Sequence, residues 1–185
     1  MRDAPDPRSL DIAALCRDGA AIEGRLALAG LSRLSDSLFG PPDAGAEAAW
    51  SAQASGKPVT GGEPERWLQL RAQAEVTLQC QRCLQAARQP LAVVRRFRFV
   101  RDEQEAARLD EEIEDDVLML APRLDLLDLL EDELILALPI VARHEGDCPQ
   151  PLPLPKALAE EAAPNPFAKL AALRSAPPRG KPGPS

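Results

Sequence analysis

The 185 residues suffice for one domain with a substantial core plus a tail, and fall short of two full domains of the common size of about 100–150 residues. Aliphatic residues are plentiful, but two Trp, four Phe and no Tyr exclude a single-strand reader built on a platform of stacked rings. The net charge of −7 has the wrong sign for an ordinary nucleic-acid binder, yet it averages two opposed segments: residues 66–101 hold eight Arg against one acid, Glu75, and residues 102–133 hold fourteen acids against Arg108 and Arg123.

The first ten residues, MRDAPDPRSL, carry acids and prolines where a secretory leader has a basic start and an apolar run, so no leader is expected. No membrane span is expected either. The longest apolar region, 124–141, is broken by Asp125, Asp128, Glu131, Asp132 and Glu133, whereas a spanning helix needs about 20 mostly apolar residues. Cytoplasmic residence is the resulting expectation, and four cysteines then read as thiols or metal ligands in preference to a disulfide framework.

In chain order, Cys16 sits with Ile12 and Leu15 and reads as a small core residue. Residues 22–28 predict a strand. Leu31, Leu34 and Leu38 share one helical face, and Gly40-Pro41-Pro42 stops that short helix. Trp50, Ala52 and Ala54 alternate with polar residues before the turn chemistry of Gly56-Lys57-Pro58 and Gly61-Gly62, which predicts one arm of a hairpin. The other arm is the clearest strand: Leu68, Leu70, Ala72, Ala74, Val76 and Leu78 are apolar and every residue between them is polar, so one face is buried and Cys80 continues it. A partner strand follows at 91–100. The acidic residues 102–116 predict a solvated loop or helix, and 117–120 a short strand. Asp125 is placed to cap a helix that ends before Pro139, with Leu127, Leu130, Leu134 and Leu138 forming the face that packs on the sheet. Pro149, Pro151, Pro153 and Pro155 then make an extended linker, Asn165-Pro166-Phe167 opens a short helical segment to about Arg174, and 175–185 has the composition of a disordered tail.

Cys80-Gln81-Arg82-Cys83 is the sharpest local feature, because two thiolates separated by two residues can converge on one tetrahedral zinc. One pair is half a site; His144 and Cys148, in a second turn-rich segment, would complete a Cys3His set. A redox pair and a plain hairpin turn with packed thiols are the alternatives. The redox reading is the weakest, since a thioredoxin-like site opens a helix and here only 84–89 separate the pair from the next strand. Arg95, Arg96 and Arg98, flanked by Arg82, Arg88 and Arg101, gather guanidinium groups suited to phosphate beside Phe97 and Phe99. With the rings inward, Arg96 and Arg98 would form an outward basic stripe and Arg95 would lie at the buried edge; the plainer alternative is that these arginines pair with the acids that follow. The acids at 110–116 carry no nuclease motif, and no catalytic triad or phosphate loop is visible, so no catalytic residue is assigned and no enzyme is expected.

Four blocks resemble the YceD family in order and spacing: residues 76–83, residues 129–139 with Glu131-Asp132-Glu133, residues 144–148, and Asn165-Pro166-Phe167-Ala168. Cys80, Cys83 and Cys148 match its cysteine positions, while the Pro-rich connection after Cys148 and the Ala-rich stretch around Trp50 depart from it. The resemblance implies a non-enzymatic factor for synthesis, processing or stability of 23S ribosomal RNA, hence large-subunit biogenesis, with that RNA, its precursor, or assembly and processing proteins as partners and neither a membrane nor a small-molecule substrate. The rival is a zinc- or thiol-containing adaptor without RNA contact. The expected architecture is α+β: an antiparallel sheet with a packed amphipathic helix in one domain over 1–148, a Pro-rich extension with a short helix over 149–174, and a disordered tail over 175–185. Zinc is the one candidate cofactor.

Overall fold

The computed structural model describes residues 5–150, so the extension and tail expected beyond them lie outside the described residues. Asp11 accepts a hydrogen bond from the Ala14 N–H and starts α1 (Ile12–Asp18), which Gly19 ends in the left-handed conformation that glycine adopts without a Cβ penalty. Cys16 is buried on this helix, as its apolar neighbours imply. β1 (Ala21–Ala27), a single 3-10 turn and α2 (Ser32–Asp36) follow, then the long strands β2 (Glu47–Lys57), β3 (Glu65–Gln79) and β4 (Ala86–Val100). The acidic stretch contains α3 (Glu103–Asp110), capped by Asp102, and leads to β5 (Asp116–Met119) and α4 (Leu126–Leu136).

The strands form one sheet in sequence order, β1 to β4 antiparallel and β5 parallel to β4. The expected antiparallel sheet is therefore only mostly so, for a physical reason: a parallel neighbour needs a crossover of a dozen residues or more, and the segment containing α3 supplies it. Alternation decides what faces the core. Trp50 and Ala52, Leu68 and Leu70, Leu91 and Phe97 point to one face, where they pack with Leu126, Leu127, Leu130 and Leu134 of α4. On the other face Gln53, Arg71, Gln73, Ala92 and Val94 remain exposed. Gly24 lies opposite Trp50 in register, and a Cβ there would sit 2.8 Å from the indole Cζ2, so the ring requires glycine beneath it.

α4 begins as its sequence implies, Asp125 accepting from the N–H groups of Leu127 and Asp128. It ends at Leu136, ahead of Pro139, so Leu138 packs against the core from beyond the helix and is not part of its face. Two of its carboxylates are buried, Glu131 and Glu133. Glu131 accepts from the Leu34 N–H at 3.1 Å and from Arg33 Nε at 3.2 Å. It thereby satisfies an N-terminal donor of α2 that the capping residue, Leu31, has no side-chain acceptor to meet. Arg33 also grips Asp128 and Asp132, which locks α2 onto α4. Glu131→Ala leaves that buried N–H unpaired and is expected to cost about 1–3 kcal/mol, whereas Asp132→Ala, at an exposed pair, costs under about 1 kcal/mol. Urea unfolding of both variants checks the contrast.

Candidate metal centre and arginine strand

β3 delivers Cys80 to the end of the hairpin with its side chain already on the buried face, and both Cys80 and Cys83 are buried. The turn is closed by the Cys80 N–H donating to the Gln85 carbonyl at 2.9 Å and the Leu84 N–H to the Cys80 carbonyl at 2.8 Å. Leu84 takes φ +60 to permit this, a conformation that costs a side-chain-bearing residue about 1–2 kcal/mol. The chain returns after α4 along this turn: the Gln81 N–H donates to the Ala142 carbonyl at 2.9 Å, the Gln89 amide to the Arg143 carbonyl at 2.7 Å, and Arg82 to the Gly146 carbonyl. That path brings His144 and Cys148 to the cysteine pair across the long sequence gap.

The ligating atoms of Cys80, Cys83, His144 and Cys148 all lie within 4.8 Å of one another. The Cys80 and Cys148 sulfurs are 3.9 Å apart, close to the edge of about 3.8 Å that zinc–sulfur bonds of about 2.3 Å give in a tetrahedron. His144 Nε2 is buried and has no hydrogen-bond partner among the described residues, as a nitrogen meant for a metal would be. Burial opposes ionisation of the Cys80 thiol, but the backbone N–H groups of Arg82, Cys83 and His144 and the Cys83 thiol outweigh it and lower Cys80 to about 6. Burial, then hydrogen bonds with Cys83 and Cys80, push Cys148 up to about 11 against the pull of Arg82. The donor set and its spacing fit a structural zinc, which would cross-link the hairpin turn to the returning segment. The pair lies in a hairpin turn rather than at a helix N-terminus, so the redox alternative lacks the feature that usually activates it.

The six candidate arginines do not form one stripe. Arg95 lies on the helix-covered side of β4 and donates to Glu133 at 2.9 Å, Arg82 belongs to the cysteine turn, and Arg101 pairs with Glu63 past the strand's end. Arg88 pairs with Glu75 at 2.9 Å, near the hairpin turn. Arg96 and Arg98 do share the open face, and there they flank a ring that the sequence reading passed over. Phe97 and Phe99 point inward as expected, whereas Trp67, whose parity is opposite to that of Leu68 and Leu70, faces outward. Arg96 lies 4.8 Å and Lys57 4.4 Å from its ring centroid, with Arg98 at 5.8 Å, and its Nε1 donates to Glu65. Arg71, also on this face, makes no ion pair among the described residues. The pairings of Arg96 with Asp115 at 3.6 Å and Arg98 with Glu65 at 3.0 Å show the self-neutralising alternative at work beside the stripe.

A family model described as large ribosomal RNA subunit accumulation protein YceD matches residues 68–174. A curated relative from Haemophilus influenzae, named large ribosomal RNA subunit accumulation protein YceD, is 36% identical over 111 residues, 56% of this chain and 63% of that protein. The chain therefore aligns with less than two thirds of that relative's length. No solved structure matches. All four cluster residues lie within the matched segment, while β1 and β2 precede it.

Metal analysis of the purified chain is expected to find about one zinc, lost together with several degrees of Tm in Cys80→Ser/Cys83→Ser; metal-free protein with an unchanged Tm would remove zinc from the account. A second expectation concerns Glu133. Burial, the larger influence, raises its carboxyl, and Arg95 only partly opposes that rise. A carboxyl raised on folding stabilises most below its unfolded value and loses that contribution as pH climbs through the folded one. The stability of the wild type relative to Glu133→Gln should thus fall from about pH 4 toward neutrality, as urea unfolding of both proteins across that range measures.

Proposed function

Because the chain belongs to the YceD family, we propose that it is a non-enzymatic cytoplasmic factor for synthesis, processing or stability of 23S ribosomal RNA, reading phosphate rather than bases. The open face of the sheet carries this reading. In a chain of net charge −7, that face sets Lys57, Arg96 and Arg98 around one ring, with Arg71 and then Arg88 further along the sheet and Arg101 just past the strand's other end. Trp67 is already covered by cations and offers no free surface for a base to stack on, while guanidinium groups held on a strand suit a sugar–phosphate backbone. The carboxylates that meet Arg88 and Arg101 are exposed, and such pairs contribute about 0–1 kcal/mol each, so a phosphate can displace them. Asp115 and Glu65 beside Arg96 and Arg98 are half-buried, which leaves Lys57 and Arg71 as the cations without a carboxylate partner among the described residues. Arg82 and Arg95 support the same surface by fixing the hairpin turn and α4. Among the described residues no helix is long and apolar enough to cross a membrane.

The four-ligand cluster favours a second reading, a zinc-held adaptor that docks on a large-subunit assembly or processing protein without touching RNA. The two separate in one experiment. Deletion of the gene should lower large-subunit relative to small-subunit RNA, and Arg71→Ala/Arg96→Ala/Arg98→Ala should fail to restore the ratio and should lose in-cell RNA crosslinks, its salt slope for RNA binding falling by about 1 for each phosphate contact removed. An unchanged RNA ratio on deletion sinks both readings; restoration by the triple variant leaves the adaptor.

A further inference from the structure

β1 forms one edge of the sheet, and among the described residues no strand lies beyond it. Its bonds to β2 use the even-numbered positions: the Leu28 N–H donates to the Ala46 carbonyl and the Ala54 N–H to the Ala20 carbonyl, each at 2.9 Å, at the two ends of one unbroken register. Bonded and non-bonded pairs alternate along an antiparallel ladder. Ile22, Gly24 and Leu26 therefore spend their backbone groups on β2, and those of Ala21, Glu23, Arg25 and Ala27 point out of the sheet. A seven-residue edge with neither proline nor bulge lacks two of the devices with which proteins blunt an edge and leaves charged side chains to do it. Here the two charges are opposite.

We propose that β1 pairs antiparallel with β1 of a second copy of this chain, about a two-fold axis at Gly24, to give a continuous sheet of twice the five strands. The strand Ala21-Ile22-Glu23-Gly24-Arg25-Leu26-Ala27 is self-complementary in that register. Ala21 meets Ala27, Ile22 meets Leu26, Glu23 meets Arg25, and Gly24 meets itself at the axis. The backbone agrees, because Glu23 and Arg25 are the residues whose outward N–H and C=O groups would exchange bonds, leaving Gly24 in the close non-bonded pair. A shift by one residue would oppose an outward-bonding residue to one already bonded to β2. A shift by two residues in one direction sets Glu23 against its own copy, and in the other sets Arg25 against its own copy, which places like charges face to face. Among registers shifted by up to two residues, the one centred on Gly24 alone satisfies both backbone and charge, and it pairs all seven residues of the strand.

The side chains fit the same arrangement. Glu23 makes no ion pair among the described residues and Arg25 holds Glu47 only at 3.4 Å, so both are available to a partner. Ile22 and Leu26 lie on the core side but stay half-buried, and the two-fold operation sets each against the other's copy, extending the apolar layer across the edge. At the axis the Trp50 ring of the same copy fills the place a Gly24 Cβ would take, so no side chain of residue 24 stands between the two strands. Such an interface is isologous. Its area, that of one short strand pair with its flanking side chains, belongs to the small class, so association is expected in the micromolar range.

Sedimentation equilibrium of the full chain up to about 100 μM tests the proposal. The wild type should show a monomer–dimer equilibrium, Glu23→Arg and Arg25→Glu should each weaken it about tenfold by replacing two attractive pairs with two repulsive ones, and Glu23→Arg/Arg25→Glu should restore it. A strictly monomeric wild type, a dimer indifferent to both single exchanges, or a double exchange that fails to recover association would overturn it. Amide exchange in the wild type gives a readout that needs no variant. The Glu23 and Arg25 N–H groups should become protected as concentration rises, and exchange at the same rate at all concentrations would also overturn it.

Discussion

Fourteen consecutive residue pairs join β3 to β4, and that ribbon locates nearly every other feature of the protein. Its period of two sends Leu68, Leu70, Val76, Leu91 and Phe97 to the core and sends Arg71, Arg96 and Arg98 to the opposite face, so the hydrophobic layer and the cationic one have a single geometric cause. At its closed end the same alternation carries Cys80 into the interior, where a thiol can meet other ligands away from water. A slip of one residue along the ribbon would turn the leucines outward and take Cys80 away from Cys148. The register is thus protected from both sides, by burial along its length and by the cluster at its tip.

The acids are organised on the same frame. Residues 102–133 appear in the sequence as one negative block, but its members do different things. Asp102 and Asp125 start helices, Glu131 supplies an acceptor to α2 from a neighbouring element, Glu133 meets Arg95 across the core boundary, and Asp115 meets Arg96. Two buried carboxylates on one helix would be costly alone. Each has a guanidinium partner from a different element, Arg33 for Glu131 and Arg95 for Glu133, so the desolvation cost is reduced, for Glu133 only in part, when α2, α4 and β4 are all in place. These polar contacts tie α4 to α2 and β4 at fixed positions along the helix, in addition to the leucine face.

The cysteine turn and the edge strand lie in different parts of the chain and are read in different ways. The turn falls inside the segment shared with the YceD family, and its four donors converge through a return path whose carbonyls are held by one backbone N–H and by the side chains of Gln89 and Arg82. β1 precedes that segment, and its significance rests on a pattern only seven residues long whose meaning depends on which backbone groups β2 has already consumed. One is a property of composition and placement, the other of parity.

Much of this was legible in the sequence. Strict alternation over residues 68–78 determined the buried face of β3, Asp125 and Pro139 bracketed α4, and the Cys80, Cys83, His144 and Cys148 set was nameable because zinc chemistry restricts ligands to a few residue types. These are local signals, written in side-chain period and in backbone preference. What only the tertiary structure decided is whatever depends on the order in which elements meet. β5 joined the sheet parallel because of where α3 left the chain, Arg95, still half-exposed, found its partner Glu133 on α4, and Trp67 rather than Phe97 became the ring beside the arginines. The convergence of His144 on the cysteines across sixty residues, and the outward bonding of Glu23 and Arg25, likewise follow from pairing partners that no local window contains.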